Sequence, residues 1–532
     1  MIVTDSPTPH LPLRIGILLT ACLLMLFVTR PQAAESPEAA EATEPEPAFE
    51  FDPSLPWLNV SAPLTLKQLQ GKVVILDFWT YGCINCIHVL PDLKRLEEKH
   101  HPYLVVIGVH TPKFDREKNL GALRSILFRY GIEHPVVNDV NFTIGRYYGM
   151  RAWPTQVVLD PTGNPLGQVT GEGNFAILDK TAGDLIEEFS DHLDPGSLPM
   201  ALEKEQLAQS LLAAPGKIAT SNKRVAIADT LHHRIIVTDH SGTIEIIVGG
   251  PAAGYADGNL KQAAFSSPQG LAFDGDDLYV ADTGNHRIRH IDLKRRTVST
   301  IAGNGKPELA RSGTFDALAT GLRSPWGLAL KGTDLYIAMA GNHQIWRLDL
   351  TDGKISRYAG SGREGLKDGA LERSRFSQPS GLSIRGDWLY VADAEDSAVR
   401  RISLKDRRVE TLIGSGLFDF GDRDGPFAEA LLQHVLGVVA LDDERVVIAD
   451  TYNSKVKLLH LDSRRIETLE GNPKQTADTF NEPGGLARLG DTLLIADTNH
   501  HRIMAYDLKR STLEEWPVRM PGDADSKQGK EE

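Results

Sequence analysis

Two hydrophobic patterns follow each other along the chain. In the first part, apolar runs typical of buried strands alternate with segments in which apolar residues have helical spacing. The run Val73–Leu76 precedes one such segment, which is apolar at every third position from Ile87 to Leu96. A second run, Tyr103–Val109, precedes another helical segment. Strands that alternate with helices predict an α/β domain over residues 55–193.

From about residue 216 onward, the pattern changes to a repeat of short strands. The segment Leu278-Tyr-Val-Ala-Asp282 recurs with variation, and the six copies end at Asp229, Asp282, Met339, Asp393, Asp450 and Asp497. The copies are separated by about fifty residues, and turn residues divide each unit into short strands. A strand-only repeat of that length predicts a β-propeller, so we expect six blades over residues 216–518.

Polar residues recur at fixed places in the repeat. The recurring histidines are His233, His286, His343 and His501. Because a residue that returns once per blade follows a structural rule of the repeat, we expect these histidines to be structural rather than metal ligands. The recurring aspartates are expected to bond the turn backbone.

Longer loops rich in glycine and aspartate connect the blades, at residues 254–258, 365–369 and 420–425. They lack the full alternation of aspartates that a calcium loop requires, so we predict a structural role for them. Loops on a rigid scaffold often carry binding residues, and Tyr255 and Phe420 are expected to be exposed there and to recognise a partner.

The candidate chemistry lies where the first apolar run meets the following helix, at Cys83-Ile84-Asn85-Cys86. Backbone N–H groups and the helix dipole favour a thiolate at a helix N-terminus, and a thiolate is the form that attacks a disulfide. Three alternatives stay open for the pair. The first is a structural disulfide, although so short a spacing would close almost no loop. The second is half of a zinc site, although the second pair of ligands is missing and His88 alone does not complete it. The third is an inert pair.

Asp77-Phe-Trp79 followed by Cys83-x-x-Cys86 resembles the thioredoxin family. The resemblance implies that Cys83 attacks the substrate, that Cys86 resolves the mixed disulfide, and that a buried Asp77 accepts the proton of Cys86. Thioredoxins have Gly-Pro between the cysteines, where this chain has Ile84-Asn85. The direction of the reaction therefore stays open, because these two residues affect the redox potential.

Trp153-Pro154-Thr155, at the start of a later strand, extends the resemblance. In thioredoxin-like proteins the matching proline follows a cis peptide bond and faces the cysteine pair, so the resemblance assigns Pro154 to the catalytic site. A trans proline at the start of a strand is the alternative. Trp79, Trp153 and Thr155 are the expected substrate-contacting residues.

The N-terminal segment indicates export. An apolar run at residues 15–28 follows Arg14 and is short for a membrane span, so residues 1–30 are predicted to be a signal peptide or a membrane anchor. Lipidation at Cys22 is a further alternative. Residues 31–54, rich in Pro, Ala and Glu, are predicted to be a disordered linker. If this segment directs export, the motif cysteines are the only ones in the mature part. Having no other cysteine avoids wrong disulfides in an oxidising compartment. We therefore expect a bacterial protein that is periplasmic and membrane-anchored, or secreted.

Length and charge narrow the possible functions. A chain of 532 residues is expected to form two to four domains. The net charge is −14 and there is no basic block, so nucleic acid is not an expected partner. We predict a second linker at residues 194–215 and a polar tail at residues 519–532.

The order of the two domains resembles the NHL repeat-containing protein 2 family over about residues 55–515. The resemblance rests on Cys83-Ile-Asn-Cys86, Gly108-Val-His-Thr-Pro-Lys-Phe114 and Trp153-Pro-Thr155, together with the repeated Ala-Asp turns. It implies a thioredoxin-like domain followed by an NHL propeller.

The sequence predicts a thiol–disulfide oxidoreductase that uses no cofactor and no metal. The expected substrate is a protein disulfide or dithiol, the propeller is expected to recognise it, and the oligomeric state stays open. A fragment ending near His192 is expected to fold and to stay active. The alternatives are a non-catalytic scaffold and a propeller hydrolase or lyase with an appended thioredoxin-like domain.

Overall fold

A computed structural model describes residues 50–203, 210–308, 313–471 and 479–523. The predicted signal or anchor segment at 1–30, most of the predicted linker at 31–54 and most of the predicted tail lie outside these ranges. Among the residues described, no helix is both long enough and apolar enough to cross a membrane.

The first domain is a mixed six-stranded sheet covered by helices, with the strand order β1-β4-β3-β2-β5-β6. The strands are β1 (Trp57–Leu58), β2 (Val73–Trp79), β3 (Leu104–His110), β4 (Val136–Asn138), β5 (Thr155–Leu159) and β6 (Pro165–Thr170). The helices are α1 (Leu66–Leu69), α2 (Ile84–His100), α3 (Leu120–Tyr130), α4 (Thr143–Tyr147) and α5 (Phe175–Glu188). β2 pairs in parallel with β3 and antiparallel with β5. The predicted thioredoxin-like α/β domain is thus confirmed.

The central strand β2 is buried along its whole length. Successive side chains of a strand point to opposite faces of the sheet. Val74 and Leu76 therefore pack on one face, whereas Val73 and Ile75 pack on the other face, against α2 and α5. Burial on both faces explains the continuous apolar run in the sequence. The cysteine loop begins where β2 ends.

The ordered domain extends beyond both predicted linker boundaries. Phe51, which we assign to the disordered linker, is buried in the core with its ring 5.2 Å from that of Trp57. At the other end, Met200 pairs with Val60, and the N–H of Ala201 donates to the carbonyl of Asn59 at 2.9 Å. Proline-rich composition indicated a linker, but it does not reveal backbone partners that lie far away in the sequence.

The second domain is a six-bladed propeller of antiparallel sheets, as predicted. Blade 1 contains β7 (Pro215–Thr220), β8 (Val225–Asp229), β9 (Arg234–Thr238) and β10 (Ile244–Gly249). Blade 2 contains β11 (Gly258–Asn259), β12 (Leu271–Asp274), β13 (Asp277–Asp282), β14 (Arg287–Asp292) and β15 (Thr297–Ala302). Blade 3 contains β16 (Thr314–Asp316), β17 (Pro325–Lys331), β18 (Asp334–Met339), β19 (Gln344–Asp349) and β20 (Lys354–Ala359).

The last three blades continue the same arrangement. Blade 4 contains β21 (Gly369–Ala370), β22 (Pro379–Arg385), β23 (Trp388–Asp393), β24 (Ala398–Ser403) and β25 (Arg408–Ile413). Blade 5 contains β26 (Gly425–Pro426), β27 (Gly437–Ala440), β28 (Arg445–Asp450), β29 (Lys455–His460) and β30 (Arg465–Thr468). Blade 6 contains β31 (Pro483–Leu489), β32 (Thr492–Asp497), β33 (Arg502–Asp507) and β34 (Thr512–Glu515).

Blade 6 closes the ring against blade 1. Trp516 and Leu494 share a core cluster with Ile218 of blade 1. Beyond the last strand, the carbonyl of Arg519 accepts a hydrogen bond from the N–H of Ile244 at 2.9 Å. Arg519, which we assign to the polar tail, therefore belongs to the closing contact.

The repeated histidines join neighbouring blades. His233, His286, His343 and His501 each end a short turn in the left-handed conformation. Their Nδ1 atoms accept backbone N–H groups of the next blade at 2.9–3.1 Å. Ser397 and Ser454 take the same role through their hydroxyl oxygens. The predicted structural role of these histidines is confirmed.

The aspartates of the repeat and of the inter-blade loops are also structural. Asp282 accepts the N–H of Ser266 at 2.8 Å, and other strand-end aspartates accept the equivalent group in their own blades. In the loop at 254–258, Asp257 binds Arg289 and Thr300. These bonds tie the loop and the turn to their blade, as the sequence predicts.

Candidate functional site

The two motif cysteines occupy different environments at the start of α2. Cys83 is the N-cap residue and is half-buried, whereas Cys86 lies one turn into the helix and is fully buried. Both are free thiols. Burial, followed by the neighbouring Cys83, raises the pKa of the Cys86 thiol. Cys83 is therefore the more accessible of the two thiols, and Cys86 is protected from solvent.

Asp77 lies on β2 within the same buried site as Cys86. One carboxylate oxygen accepts a hydrogen bond from Nε2 of Gln156 at 2.8 Å, and the other, Oδ2, has no partner. Burial raises the pKa of Asp77 to about 6, and the hydrogen bond from Gln156 opposes this shift. The charge of Asp77 in turn contributes to the raised pKa of Cys86. Gln156, which stands opposite Asp77 across the pair β2–β5, was missed at the sequence level.

The segment before β5 completes the thioredoxin-like arrangement. The Trp153–Pro154 peptide bond is cis, as the resemblance implies. Trp153 is half-buried, packs in the same cluster as Cys83, and donates a hydrogen bond from Nε1 to Thr111 Oγ1 at 2.6 Å. Pro154 is buried directly beside it.

Two predicted substrate contacts need correction. Trp79 is fully buried, with its ring 5.0 Å from that of His110, because it ends a strand that is covered on both faces. Thr155 is also buried, and its hydroxyl donates to the carbonyl of Ala152 at 2.8 Å. Neither side chain is available to a substrate, whereas the contact predicted for Trp153 stays a prediction.

Gln378 of blade 4 binds the cysteine loop directly. Its side-chain oxygen accepts the N–H of Ile84, and its Nε2 donates to the carbonyl of Gly82, both at 2.8 Å. The two bonds hold the backbone on either side of Cys83. No sequence signal marked this residue, because Gln378 occupies an ordinary turn position of the repeat.

A buried glutamate supports the same loop from beneath. Glu117 accepts the N–H of Gly82 at 3.0 Å and the N–H of Lys113 at 2.6 Å, and it also binds the hydroxyl of Thr80. A Cβ atom on Gly82 would lie 2.9 Å from Oε1 of Glu117, so the loop needs glycine for this approach. Burial raises the pKa of Glu117 to about 7.

Gln378 belongs to a ring of equivalent positions, one per blade, that we call the crown. The crown residues are Ala214, Ser267, Ser324, Gln378, His434 and Glu482, all with φ between 44° and 62°. Four of them touch the thioredoxin-like domain. Ser324 binds His88 at 2.6 Å, the ring of His434 lies 5.2 Å from that of Phe114, and Glu482 pairs with Arg116 at 3.3 Å.

The crown contacts are accompanied by a buried ion pair and aromatic packing between the domains. Lys113 pairs with Glu395 of blade 4, and their side chains are 5% and 6% exposed. Phe420 packs edge-on against Phe114 at 4.9 Å, so the prediction that Phe420 is an exposed recognition residue is wrong. Tyr255 is 67% exposed, as predicted. The two domains form one compact unit, and this weighs against the expected independence of a fragment ending near His192.

An open cavity of about 690 Å³ lies over blades 1 to 3. One wall is the face of α2 with Ile84, Ile87 and Leu90, and the opposite wall carries polar groups such as Ser267 and His286. Among the described residues, no group of three or more metal-ligating side chains comes together.

Comparisons with known proteins agree with the two domains. A family described as Thioredoxin-like matches residues 71–165, and one described as NHL repeat matches residues 265–291. NHL repeat-containing protein 2 of Gallus gallus is 41% identical over 524 residues, which cover 90% of this chain and 72% of that protein. The chain belongs to the NHL repeat-containing protein 2 family.

Two further relatives extend the comparison beyond this family's animal members. Protein SUPPRESSOR OF QUENCHING 1, chloroplastic, of Arabidopsis thaliana is 42% identical over 492 residues, which cover 87% of this chain and 46% of that protein. Thiol-disulfide oxidoreductase YkuV of Bacillus subtilis is 24% identical over 133 residues, which cover 25% of this chain and 88% of that protein. The first quarter of this chain is thus similar to a protein named as a thiol–disulfide oxidoreductase.

Proposed function

We propose that the protein is a thiol–disulfide oxidoreductase that acts through Cys83 and Cys86. The observation that carries the proposal is the unpartnered Oδ2 of Asp77, buried beside a thiol whose pKa is raised. A buried acceptor without a partner is costly to keep and suits a group that takes up a proton. The name of the Bacillus relative supports the same chemistry for the thioredoxin-like domain.

The exchange proceeds in two balanced steps when the protein acts as a reductant. The Cys83 thiolate attacks one sulfur of the substrate disulfide, a mixed disulfide forms, and the other substrate sulfur leaves as a thiolate. Asp77 then takes the proton of Cys86, and the Cys86 sulfur attacks that of Cys83. The Cys83–Cys86 disulfide forms, the second substrate thiol leaves, and two electrons have passed to the substrate. The reverse sequence oxidises a dithiol.

The propeller takes part in this site. Gln378 binds the cysteine loop, and Ser324 and Glu395 bind His88 and Lys113 of the same domain. These contacts support a role for the propeller in the approach of a substrate to Cys83. We propose a protein disulfide or dithiol as the substrate, with the propeller as part of the recognition surface. The export segment predicted at residues 1–30 would place this chemistry in an oxidising compartment of a bacterium.

A single-turnover experiment tests the proposed function. The protein carries Cys22→Ser, so that only the motif cysteines can react. It is reduced, freed of reductant and mixed with excess bis(2-hydroxyethyl) disulfide, and the released thiol is counted. We expect one disulfide to be reduced per protein molecule. Cys86→Ala should accumulate a mixed disulfide on Cys83 that is visible by mass spectrometry, whereas Cys83→Ala should form none. A reduced wild-type protein that releases no thiol would contradict the proposal and would favour the scaffold alternative.

A further inference from the structure

Blade 3 departs from the polar pattern of the other five blades. In those blades the strand-end aspartate pairs with an arginine or lysine at 2.6–3.1 Å. Blade 3 has Met339 at the aspartate position and Trp346 at the position that Arg289 holds in blade 2. Both side chains are buried in one apolar cluster. An apolar pair therefore replaces the ion pair in this blade.

The replacement leaves Asn342 without its partner. In four blades the residue three positions after the aspartate binds that aspartate at 2.8 Å, as Asn285 and Asn453 do. Asn342 holds the equivalent position in blade 3. Neither its side-chain oxygen nor its side-chain nitrogen has a hydrogen-bond partner, although the residue is only 5% exposed. Because no residue of the repeat takes up these groups, both are available to a ligand that reaches Asn342.

Asn342 forms part of the wall of a cavity of about 370 Å³ beside the cysteine loop. Asn85, which lies between the two cysteines, forms the wall on the thioredoxin-like side. Arg323 also lines the cavity, and its Nε has no partner. The Arg323 guanidinium pairs with Glu172, so the cavity carries little net charge. An anion or a cation is therefore a poor match to it.

We propose that this cavity binds the backbone of a polypeptide substrate through one of its peptide groups. The Asn342 side chain offers one acceptor and one donor group, which match the N–H and C=O of an extended peptide. Because Asn85 lies two residues after Cys83 in the sequence, a peptide bound here would lie beside the cysteine loop. Binding the main chain rather than a particular side chain lets one site accept disulfides in different sequences. This inference rests on the proposed oxidoreductase function.

The test uses capped pentapeptides whose central cysteine carries a nitrothiobenzoate leaving group. Attack by Cys83 forms a bond to the peptide sulfur and releases coloured nitrothiobenzoate, so one turnover is followed by absorbance. Two further probes replace the amide before or after the cysteine with an ester, which removes one N–H and weakens one carbonyl acceptor. We expect the reduced wild-type protein to react about five- to twentyfold more slowly with at least one ester probe than with the amide probe.

Three variants assign this discrimination to Asn342. Asn342→Ala should lower the amide-to-ester rate ratio to within about twofold of unity. Met339→Asp together with Trp346→Arg, which restores the ion pair of the other blades, should also lower the ratio while keeping Asn342, because the aspartate would accept a hydrogen bond from Nδ2 of Asn342 as Asp450 does from Asn453. Asn285→Ala, the matched change in blade 2, should leave the ratio as in the wild type.

Two outcomes overturn the inference. One is a wild-type protein that reacts equally with all three probes, and the other is an Asn342→Ala variant that keeps the full discrimination. Failure of the proposed function looks different. In that case the reduced wild-type protein forms no Cys83–Cys86 disulfide with any peptide or with the symmetrical nitrothiobenzoate disulfide.

Discussion

The side-chain oxygen of Gln378 accepts a hydrogen bond from the backbone N–H of Ile84 at 2.8 Å, although 294 residues separate them. Ile84 is the first residue of α2, and its N–H is one of the groups that a helix N-terminus offers to a thiolate. A propeller residue thus accepts a hydrogen bond from the backbone N–H of the residue that follows Cys83. It also holds the loop on the other side of Cys83 through Gly82. The backbone on both sides of Cys83 is therefore held by a residue of the propeller.

Loss of the two hydrogen bonds with Gln378 should lower the reactivity of Cys83. Gln378→Ala breaks two hydrogen bonds that fix the cysteine loop, and we expect nitrothiobenzoate release to slow by about tenfold. Single-turnover absorbance measures the rate. Ser267→Ala is the matched control, because Ser267 holds the same crown position in blade 2 and faces the open cavity. Equal rates for Gln378→Ala and the wild type would show that these two hydrogen bonds do not affect the reactivity of Cys83.

Cys83 should be the thiol that reacts first with an alkylating agent. It is half-buried at the start of α2, whereas Cys86 is fully buried and the pKa of its thiol is raised. Limited iodoacetamide at neutral pH, followed by peptide mass spectrometry, should find the label on Cys83. Cys83→Ser should react at least about tenfold more slowly than Cys86→Ser. Faster labelling of Cys86 would reverse the assignment of the two roles.

Asp77 should control the second step of the exchange. Asp77→Asn removes the proton acceptor, and we expect resolution of the mixed disulfide to slow by about a hundredfold. In the wild type, resolution should slow as the pH falls through about 6, because Asp77 becomes protonated there. Stopped-flow measurement of thiol release across this pH range provides the test. A profile without a step near pH 6, or a full rate in Asp77→Asn, would contradict the assignment.

The same carboxylate should make the fold less stable at neutral pH. Because burial raises the folded-state pKa of Asp77 to about 6, the folded protein holds this proton more tightly than the unfolded chain does. Its contribution favours folding at low pH and is lost as the pH rises through 6. Asp77→Asn should therefore raise the free energy of unfolding by about 2–3 kcal/mol at pH 8 and change it little at pH 4. Denaturant titrations at the two pH values measure the difference.

Local sequence patterns were enough to predict the strands, the helices and the position of the cysteine pair at the start of a helix. The buried run before Cys83, the helical spacing after Cys86 and the period of the repeat all arise from residues close together in the sequence. The cis bond before Pro154 followed from resemblance alone. These features are the ones in which short-range chemistry and the final fold agree.

The contacts between the domains could not be predicted in the same way. Gln378 and Ser324 stand at ordinary turn positions, and nothing local shows that they face a second domain. Phe420 lies in a polar loop that indicates exposure, yet it packs on Phe114. Met339 was visible as a departure from the repeat, but its effect on Asn342 depends on bonds that are made only in the folded blades.

The last prediction concerns the ion pair that holds the two domains together. Lys113 and Glu395 are almost completely buried, so neutralising one partner leaves the other charge without compensation. We expect Lys113→Met and Glu395→Leu each to lower the free energy of unfolding by about 3–5 kcal/mol. The double variant should lose less than either single variant, because an apolar pair of similar size needs no compensating charge.

Asp184→Asn, which breaks the exposed pair with Lys180, is the control and should cost less than about 1 kcal/mol. Denaturant unfolding followed by tryptophan fluorescence and by circular dichroism supplies the four values of the cycle. Additive losses in the double variant would mean that Lys113 and Glu395 act independently, and would refute a coupled pair at the domain interface.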